Sequence, residues 1–168
     1  MSEKQTPEIV IRPAVPADAG AYLALVEAFA EFEGLQPPDE EAKTRLIDHL
    51  FRDRPLYRLL VAELSGEVVA YAAYFLAYST FTARPTFFLE DIFVLPEHRH
   101  LRIGHRLFIY CARTAVAEGC TRMDFLVLNW NKEALDFYRS HGVECLKDWL
   151  LHRVEGQRLD ELAAMPLD

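Results

Sequence analysis

The chain has 168 residues, a formal net charge of −8, and a composition that is 51% apolar and 12% aromatic. These values exclude a disordered chain and predict one domain with a substantial core. The longest apolar run, residues 68–78, is too short to cross a bilayer. The acidic balance argues against a general nucleic-acid binder, and it is compatible either with solubility alone or with a cationic substrate.

The N-terminal residues and the cysteines predict an intracellular protein. Residues 1–7 are polar and are followed by an apolar stretch only as long as a strand, so no signal peptide is expected. Cys111, Cys120 and Cys145 are an odd number without metal-ligand spacing. We therefore expect no disulfide framework and no metal site, and the cytoplasm is the expected location.

The first half of the chain predicts a short strand, two helices and a hairpin, in the order strand 8–12, helix 17–33, helix 39–51, strand 57–63 and strand 68–78. Gly34 is a suitable end for the first helix, and Asp39 is a suitable N-cap for the second. Ser65 and Gly66 provide the tight turn of the hairpin.

The second half alternates strands with helices, in the order strand 86–95, helix 103–118, strand 122–128, helix 132–140, strands 143–147 and 149–154, and helix 157–165. Antiparallel strands are thus followed by crossover units that need parallel neighbours. This order predicts a mixed α/β (α+β) fold, with a central sheet of about six to seven strands and helices on both faces. No repeat or linker divides the chain, so residues 1–168 are expected to form a single domain.

The most informative stretch of the chain is residues 87–106. An apolar run that carries two adjacent carboxylates, Glu90 and Asp91, ends at Pro96. A basic loop then leads into an amphipathic helix, which brings a strand end, free backbone amides and cations to one point. Because a helix N-terminus presents unpaired N–H groups and a positive dipole end, this point is suited to a pyrophosphate.

With these motifs the chain resembles the GNAT superfamily of acetyl-CoA-dependent N-acetyltransferases, and within it the spermidine/spermine (diamine) acetyltransferases. The likeness covers nearly the whole chain and is tightest in residues 89–94 (Leu-Glu-Asp-Ile-Phe-Val), in residues 125–131 (Phe-Leu-Val-Leu-Asn-Trp-Asn), and in Phe137 and Tyr138. It implies a GNAT fold, a homodimer, and direct acetyl transfer in a ternary complex, without an acyl-enzyme.

The resemblance also implies which residues contact acetyl-CoA, the expected co-substrate. The backbone groups of Ile92, Phe93 and Val94 are expected to pair with the pantetheine arm in a gap between two strands, where a bulge would polarise the acetyl carbonyl. The remaining implied contacts are Arg99, His100, Leu101, Arg102, Ile103, Gly104, His105, Asn131, Glu133 and Ala134. Arg102 stands where the family has its first loop glycine, so its side chain either crowds the phosphates or adds a cation. Asn131 is alternatively only a helix cap.

Tyr138 and Glu90 are the catalytic residues that the resemblance implies. A phenol with a pKa of about 10 stays protonated at neutral pH and can protonate the departing thiolate. Glu90 would bind the acceptor ammonium and relay its proton, unless local hydrogen bonds satisfy it. Adjacent strand residues point to opposite faces, so at most one of Glu90 and Asp91 is expected to face the acceptor.

The acceptor side is expected to comprise Phe32, Glu33, Glu90 and Asp91. Phe32 stands where the resembling enzymes have tyrosine, which removes one polar contact. A small polycation such as a diamine or polyamine is the first expectation for the acceptor. A thialysine-like or lysine-like amino acid, or a protein amine, is the alternative. A CoA-binding module without catalysis is a second alternative, which Arg102 keeps open.

Overall fold

The computed structural model describes residues 8–167 and contains one mixed sheet. Its strands are β1 (Ile9–Pro13), β2 (Arg58–Leu64), β3 (Glu67–Ser79), β4 (Arg84–Val94) and β5 (Met123–Phe125), and they are adjacent in chain order. The first four strands are antiparallel, whereas β4 and β5 are parallel. The predicted mixed sheet is therefore confirmed, with five strands rather than six to seven.

The helices are α1 (Ala19–Glu33), α2 (Glu40–Phe51), α3 (Ile103–Ala117), α4 (Lys132–Ser140) and α5 (Gln157–Ala163). Two 3-10 turns, Pro16–Asp18 and Pro96–Leu101, precede α1 and α3. Across residues 8–167, no helix combines the length and the apolar character needed to cross a membrane.

The terminal strand pair predicted over residues 143–154 was wrong, because the structure assigns no strand there. Trp149, Leu150 and Leu151, which suggested a strand, are 80%, 77% and 68% exposed. Strand propensity reports how well a side chain suits a half-buried pleated surface, and here no face is buried. A two-stranded hairpin without such a face is only marginally stable.

Local signals account for the positions of the other elements. The Asp39 side chain accepts a hydrogen bond from the Ala42 N–H at 2.8 Å, which caps α2 as predicted. Ser65 and Gly66 have φ values of 53° and 92°, as a two-residue hairpin turn requires. The hairpin of β2 and β3 is thereby confirmed.

Contacts divide the chain into two compact units, residues up to 126 and residues from 127 onward. In the first unit, α1 and α2 cover one face of the sheet with a cluster that comprises Tyr22, Leu25, Leu50, Leu59, Val61, Tyr71, Ala73 and Phe93. The helix α3 buries Ile103, Leu107 and Cys111, and it packs against β3 and β4. Successive residues of β3 are buried whichever way they point, because helices cover both faces of the sheet.

A β-bulge interrupts β4 at Glu90. Ala73 of β3 is opposite Asp91, whereas Tyr74 is opposite Leu89, so Glu90 is an extra residue in β4. The expectation of a bulge within residues 92–94 was wrong, since those residues pair in regular register with β3. An inserted residue leaves the apolar pattern of a strand that is buried on both faces almost unchanged, and the sequence therefore did not reveal its position.

Candidate active site

An open strand edge lies beside the C-terminal half of β4. The strand β5 pairs with β4 only from Phe87 to Leu89, whereas β4 continues to Val94. Within residues 8–167, β4 has no sheet partner on that side from residue 90 to residue 94. The first compact unit therefore contains the expected gap between two central strands.

The hydrogen-bond register determines which backbone groups face this open edge. The Leu95 N–H donates to the Val69 carbonyl at 3.1 Å, so the alternation of an antiparallel pair directs the Phe93 backbone toward β3. The backbone groups of Ile92 and Val94 then face the open side, where the Val94 carbonyl accepts from Arg99 Nε at 3.2 Å. The Ile92 groups and the Val94 N–H are left to pair with an extended ligand.

The basic segment after β4 leads into the N-terminus of α3. His100 and Leu101 belong to the 3-10 turn, and Arg102 follows at φ 61° as the N-cap residue of α3. Arg102 makes no side-chain capping bond within the described part of the chain. Ile103 and Gly104 begin the helix, whose first amides lack intrahelical acceptors. Uncapped amides beside an arginine are suited to an anion.

Two residues predicted to contact the cofactor, Arg99 and His105, also lie against other parts of the first unit. The Arg99 guanidinium lies over the Phe32 ring, 4.6 Å from its centroid, and 5.8 Å from that of Phe93. His105 lines a groove of about 350 Å³ together with Ile9 and Ile11 of β1. Arg99 therefore lies beside the residues predicted to bind the acceptor.

Asp91 is a half-buried carboxylate of this region, as is Glu33. It lies opposite Ala73 on the face of the sheet that carries Phe93, under α1. Burial, with smaller contributions from the charges of Glu90 and Glu33, raises the pKa of Asp91 to about 6. Burial also raises the pKa of Glu33, at the end of α1. The structure thus brings Phe32, Glu33 and Asp91 into one region of the first unit.

Glu90 is exposed, in contrast to Asp91. The bulge interrupts the regular alternation of side chains at Glu90, so strand alternation alone does not determine the direction of its side chain. The negative charge of Glu90 lies close enough to raise the pKa of Asp91. Glu90 therefore contributes to the electrostatic environment of Asp91.

The second compact unit contains the other predicted site residues. The Asn131 side chain accepts from the Ala134 N–H at 3.1 Å, so Asn131 caps α4, and Glu133 lies in the first turn. Tyr138 is buried in α4, and its ring contacts that of Phe137 edge to face at 5.2 Å. The Tyr138 carbonyl accepts from the Val143 N–H at 3.1 Å, which anchors the chain after the helix.

Comparison with known families identifies the fold. The model of the acetyltransferase (GNAT) family matches residues 22–143 of this chain. The chain belongs to the GNAT family. It is therefore an acyltransferase, as the resemblance implied.

Relatives of this GNAT acetyltransferase carry names that refer to different amines. It is 36% identical over 166 residues to the thialysine N-epsilon-acetyltransferase of Bos taurus, covering 92% of this chain and 97% of that protein. It is 28% identical over 163 residues to the human spermidine/spermine N(1)-acetyltransferase-like protein 1, covering 91% of this chain and 23% of that protein. A crystal structure of an aminoglycoside N-acetyltransferase in complex with CoA has the same fold, with a TM-score of 0.76, 17% identity, and coverage of 93% and 100% of the two chains.

GNAT enzymes use acetyl-CoA, and the donor groups of this GNAT acetyltransferase fit that molecule. The open-edge groups of Ile92 and Val94 suit an arm that contains amides, and the N-terminus of α3 suits a diphosphate. Within residues 8–167, no three His, Cys, Asp or Glu side chains are grouped to hold a metal ion. Burial raises the pKa of the Cys111 thiol to about 12, which is unsuitable for a nucleophile.

Tyr71, which was not among the predicted site residues, lies beside this region. Tyr71 is in the middle of β3, and its buried hydroxyl has no hydrogen-bond partner within the described residues. The available signal was a tyrosine among small apolar residues in a strand predicted as part of a hairpin. Such a pattern indicates a buried hydroxyl, but it does not show which residue of the neighbouring strand lies beside that hydroxyl.

Proposed function

We propose that this GNAT acetyltransferase transfers acetyl from acetyl-CoA to the terminal amine of a small thialysine-like or lysine-like amino acid, by direct attack in a ternary complex. The observation that carries the proposal is the half-buried Asp91, one residue from the open-edge amide of Ile92. Similarity to the thialysine acetyltransferase favours this alternative over the diamine or polyamine that the sequence suggested first.

The donor half of the site is proposed to use backbone groups for the arm and the helix N-terminus for the diphosphate. Ile92 and Val94 would pair with the pantetheine amides, and the first amides of α3 would receive the diphosphate. The further proposed CoA contacts are Phe93, Arg99, His100, Leu101, Arg102, Ile103, Gly104, His105, Asn131, Glu133 and Ala134. Acetyl-CoA supplies an activated thioester, whose carbonyl the Ile92 N–H would polarise.

Arg102→Gly provides a test of the donor half. We expect this change to raise the free energy of unfolding by about 1 kcal/mol, because a left-handed backbone is unfavourable for a residue with a side chain. Loss of the cation should also weaken CoA binding by about 3- to 10-fold. Urea unfolding and calorimetry with CoA measure the two effects. Arg102→Ala is the control that loses the cation but keeps the positive φ, and tighter CoA binding by Arg102→Gly would instead indicate crowding.

The acceptor half is proposed to hold an ammonium at Asp91 and Glu33. An alkylammonium group has a pKa of about 10, so most of the acceptor is protonated at neutral pH. The ammonium must lose a proton before its nitrogen can attack. A carboxylate with a pKa of about 6 can bind the ammonium and then take its proton directly or through water. We assign this role to Asp91 and retain Glu90, the first expectation, as the alternative base. The amine nitrogen then attacks the thioester carbonyl, and the C–S bond breaks.

Tyr138 is proposed to supply the proton that the departing CoA thiolate takes up. Its phenol is the type of acid that stays protonated at neutral pH and can still donate to a thiolate. The support is the match of Phe137 and Tyr138 to the family motif at the expected distance after Asn131. No covalent enzyme intermediate is required, since the amine attacks the thioester itself.

Arg99 favours an amino acid over a polyamine as the acceptor. Its guanidinium stacks on Phe32, beside the residues that would hold the ammonium. A cation at this place repels an acceptor that is positively charged along its whole length, and it attracts an acceptor that carries a carboxylate. An amino acid with a terminal amine has both charges.

Lysine and cadaverine, which differ only by the carboxylate, test this choice directly. We expect kcat/KM to be about 10-fold or more higher for lysine than for cadaverine, and highest for thialysine among an amine panel that includes spermidine and spermine. Thiol release from acetyl-CoA measures each rate. Preference for spermidine would support the polyamine reading, whereas CoA binding without turnover of any amine would support the CoA-binding module.

We further propose a cytoplasmic homodimer that uses neither nucleic acid nor membrane as a partner. The support is the family resemblance together with the acidic composition. Light scattering on the purified chain measures the assembly, and a monomer at the concentrations of the activity assay would contradict the dimer.

A further inference from the structure

Tyr71 has a buried hydroxyl that the fold leaves unsatisfied. Its side chain is 0% exposed and packs against the rings of Tyr22 and Phe93, with centroids 5.2 and 6.4 Å away. Within residues 8–167, its hydroxyl is the buried side-chain polar atom that has no hydrogen-bond partner. Leaving such an atom unpaired costs about 1–3 kcal/mol, so its retention needs a reason.

The register of β3 and β4 places Asp91 next to this hydroxyl. Tyr71 is opposite Phe93, and Ala73 is opposite Asp91, so Tyr71 and Asp91 are diagonal neighbours on one face of the sheet. Diagonal neighbours lie within reach of long or aromatic side chains. The two side chains are therefore positioned to meet under α1.

Other polar groups near Tyr71 already have partners. The Tyr57 hydroxyl lies 3.3 Å from that of Tyr22 and donates to the Leu46 carbonyl at 2.9 Å. Besides Tyr71, the charges of Glu90 on its own strand and Glu33 on α1 raise the pKa of Asp91. The charge of Asp91 in turn contributes to the raised pKa values of Tyr22 and Tyr57, which are neutral phenols in the pH range where Asp91 titrates. Among these groups, the Asp91 carboxylate is the acceptor suited to the Tyr71 hydroxyl.

We propose that Tyr71 is a positioning residue whose hydroxyl donates to the charged Asp91 carboxylate and orients it toward the acceptor amine. This inference rests on the proposed function, in which Asp91 is the base. In the structure the Tyr71 hydroxyl makes no hydrogen bond of ordinary geometry within the described residues, yet it lies close enough to Asp91 to lower the pKa of that carboxyl. In this proposal the partner of the Tyr71 hydroxyl is the Asp91 carboxylate itself, which explains why the described part of the fold provides no other acceptor.

This contact would oppose the other influences on Asp91. Burial, Glu90 and Glu33 raise the pKa of Asp91, whereas the Tyr71 hydroxyl lowers it by favouring the charged form. Without the hydroxyl, a larger fraction of Asp91 would be protonated near neutral pH and unable to accept a proton. Tyr71 thus keeps a half-buried carboxylate available as a base.

Tyr71→Phe tests the inference while preserving the ring packing. We expect the titration midpoint of Asp91, followed by carboxyl ¹³C NMR in aspartate-labelled full-length protein, to rise by about 1 pH unit. The Asp91 carboxyl signal is identified as the resonance that is absent from the spectrum of the Asp91→Asn variant. The acid limb of the profile of kcat/KM for lysine should move upward by a similar amount, while the affinity for CoA stays unchanged.

Tyr22→Phe is the matched control, because it removes a hydroxyl from the same core that bonds to Tyr57 rather than to Asp91. It should leave the Asp91 midpoint in place. An unchanged midpoint in Tyr71→Phe, or an equal rise in both variants, overturns the inference. If the midpoint rises only in Tyr71→Phe but the wild type acetylates no amine, the contact stands and the proposed function fails.

Discussion

Asp91→Asn is expected to lower kcat/KM for the amine acceptor by about 10²- to 10³-fold while leaving CoA affinity unchanged. The substitution keeps the shape of the side chain but removes the negative charge that would bind the ammonium and accept its proton. General base catalysis typically contributes effects of this size. Steady-state kinetics with lysine, together with calorimetry for CoA, measure the two quantities.

The dependence of kcat/KM on pH provides a second test of Asp91 as the base. Because burial raises the pKa of Asp91 to about 6, the carboxyl becomes protonated as the pH falls through 6, and kcat/KM should fall with it. The Asn variant should lack this acid limb. A wild-type profile that is flat between pH 5 and 7 would contradict the role of Asp91 as the base.

Stability should change in the opposite direction to activity. The folded pKa of Asp91 lies above the unfolded value of about 3.9, so the charged form opposes folding above pH 6, and this penalty disappears as the pH falls toward 4. Asp91→Asn should therefore raise the free energy of unfolding at pH 7 by about 1–2 kcal/mol, since the side chain is only half-buried. Urea unfolding at pH 7 and at pH 4.5 checks the sign.

Glu90→Gln is the matched control on the neighbouring carboxylate. Glu90 is exposed at the bulge, so its loss should change kcat/KM by less than about 10-fold and should lower the Asp91 midpoint slightly, because one negative neighbour is removed. If Glu90→Gln abolishes turnover and Asp91→Asn does not, the base is Glu90, as the family resemblance first implied.

Tyr138→Phe is expected to lower kcat by about 10²-fold with little change in the affinity for CoA. The phenyl ring preserves the packing against Phe137, whereas the proton for the departing thiolate is lost. Because the interaction is made in the transition state, kcat and kcat/KM should fall together. Turnover kinetics and calorimetry with CoA separate this result from a binding defect.

Tyr78→Phe is the control for Tyr138, because Tyr78 is 67% exposed on β3 and has no proposed role. It should leave kcat unchanged. An acetyl donor with a more acidic thiol needs less help from an acid, so Tyr138→Phe should lose less activity with such a donor. Full activity of Tyr138→Phe with acetyl-CoA would exclude this tyrosine as the acid.

Elements that depend on local signals were predicted better than elements that depend on distant partners. The hairpin of β2 and β3, the Asp39 cap and the bounds of α4 agree with expectation because each depends on a turn, a cap or a periodic run within a few residues. The strands proposed for residues 143–154 failed, because a strand exists only with a partner and a buried face.

Periodicity and turn signals, which are properties of short segments, were thus sufficient to predict the mixed sheet, and the resemblance of a few motifs indicated the family. Only the folded chain showed that Glu90 is the extra residue of a bulge, that Asp91 is half-buried, and that Tyr71 lies diagonal to Asp91. These features depend on the register between β3 and β4. A shift of one residue in that register reverses which side chains meet, and no short segment contains this information.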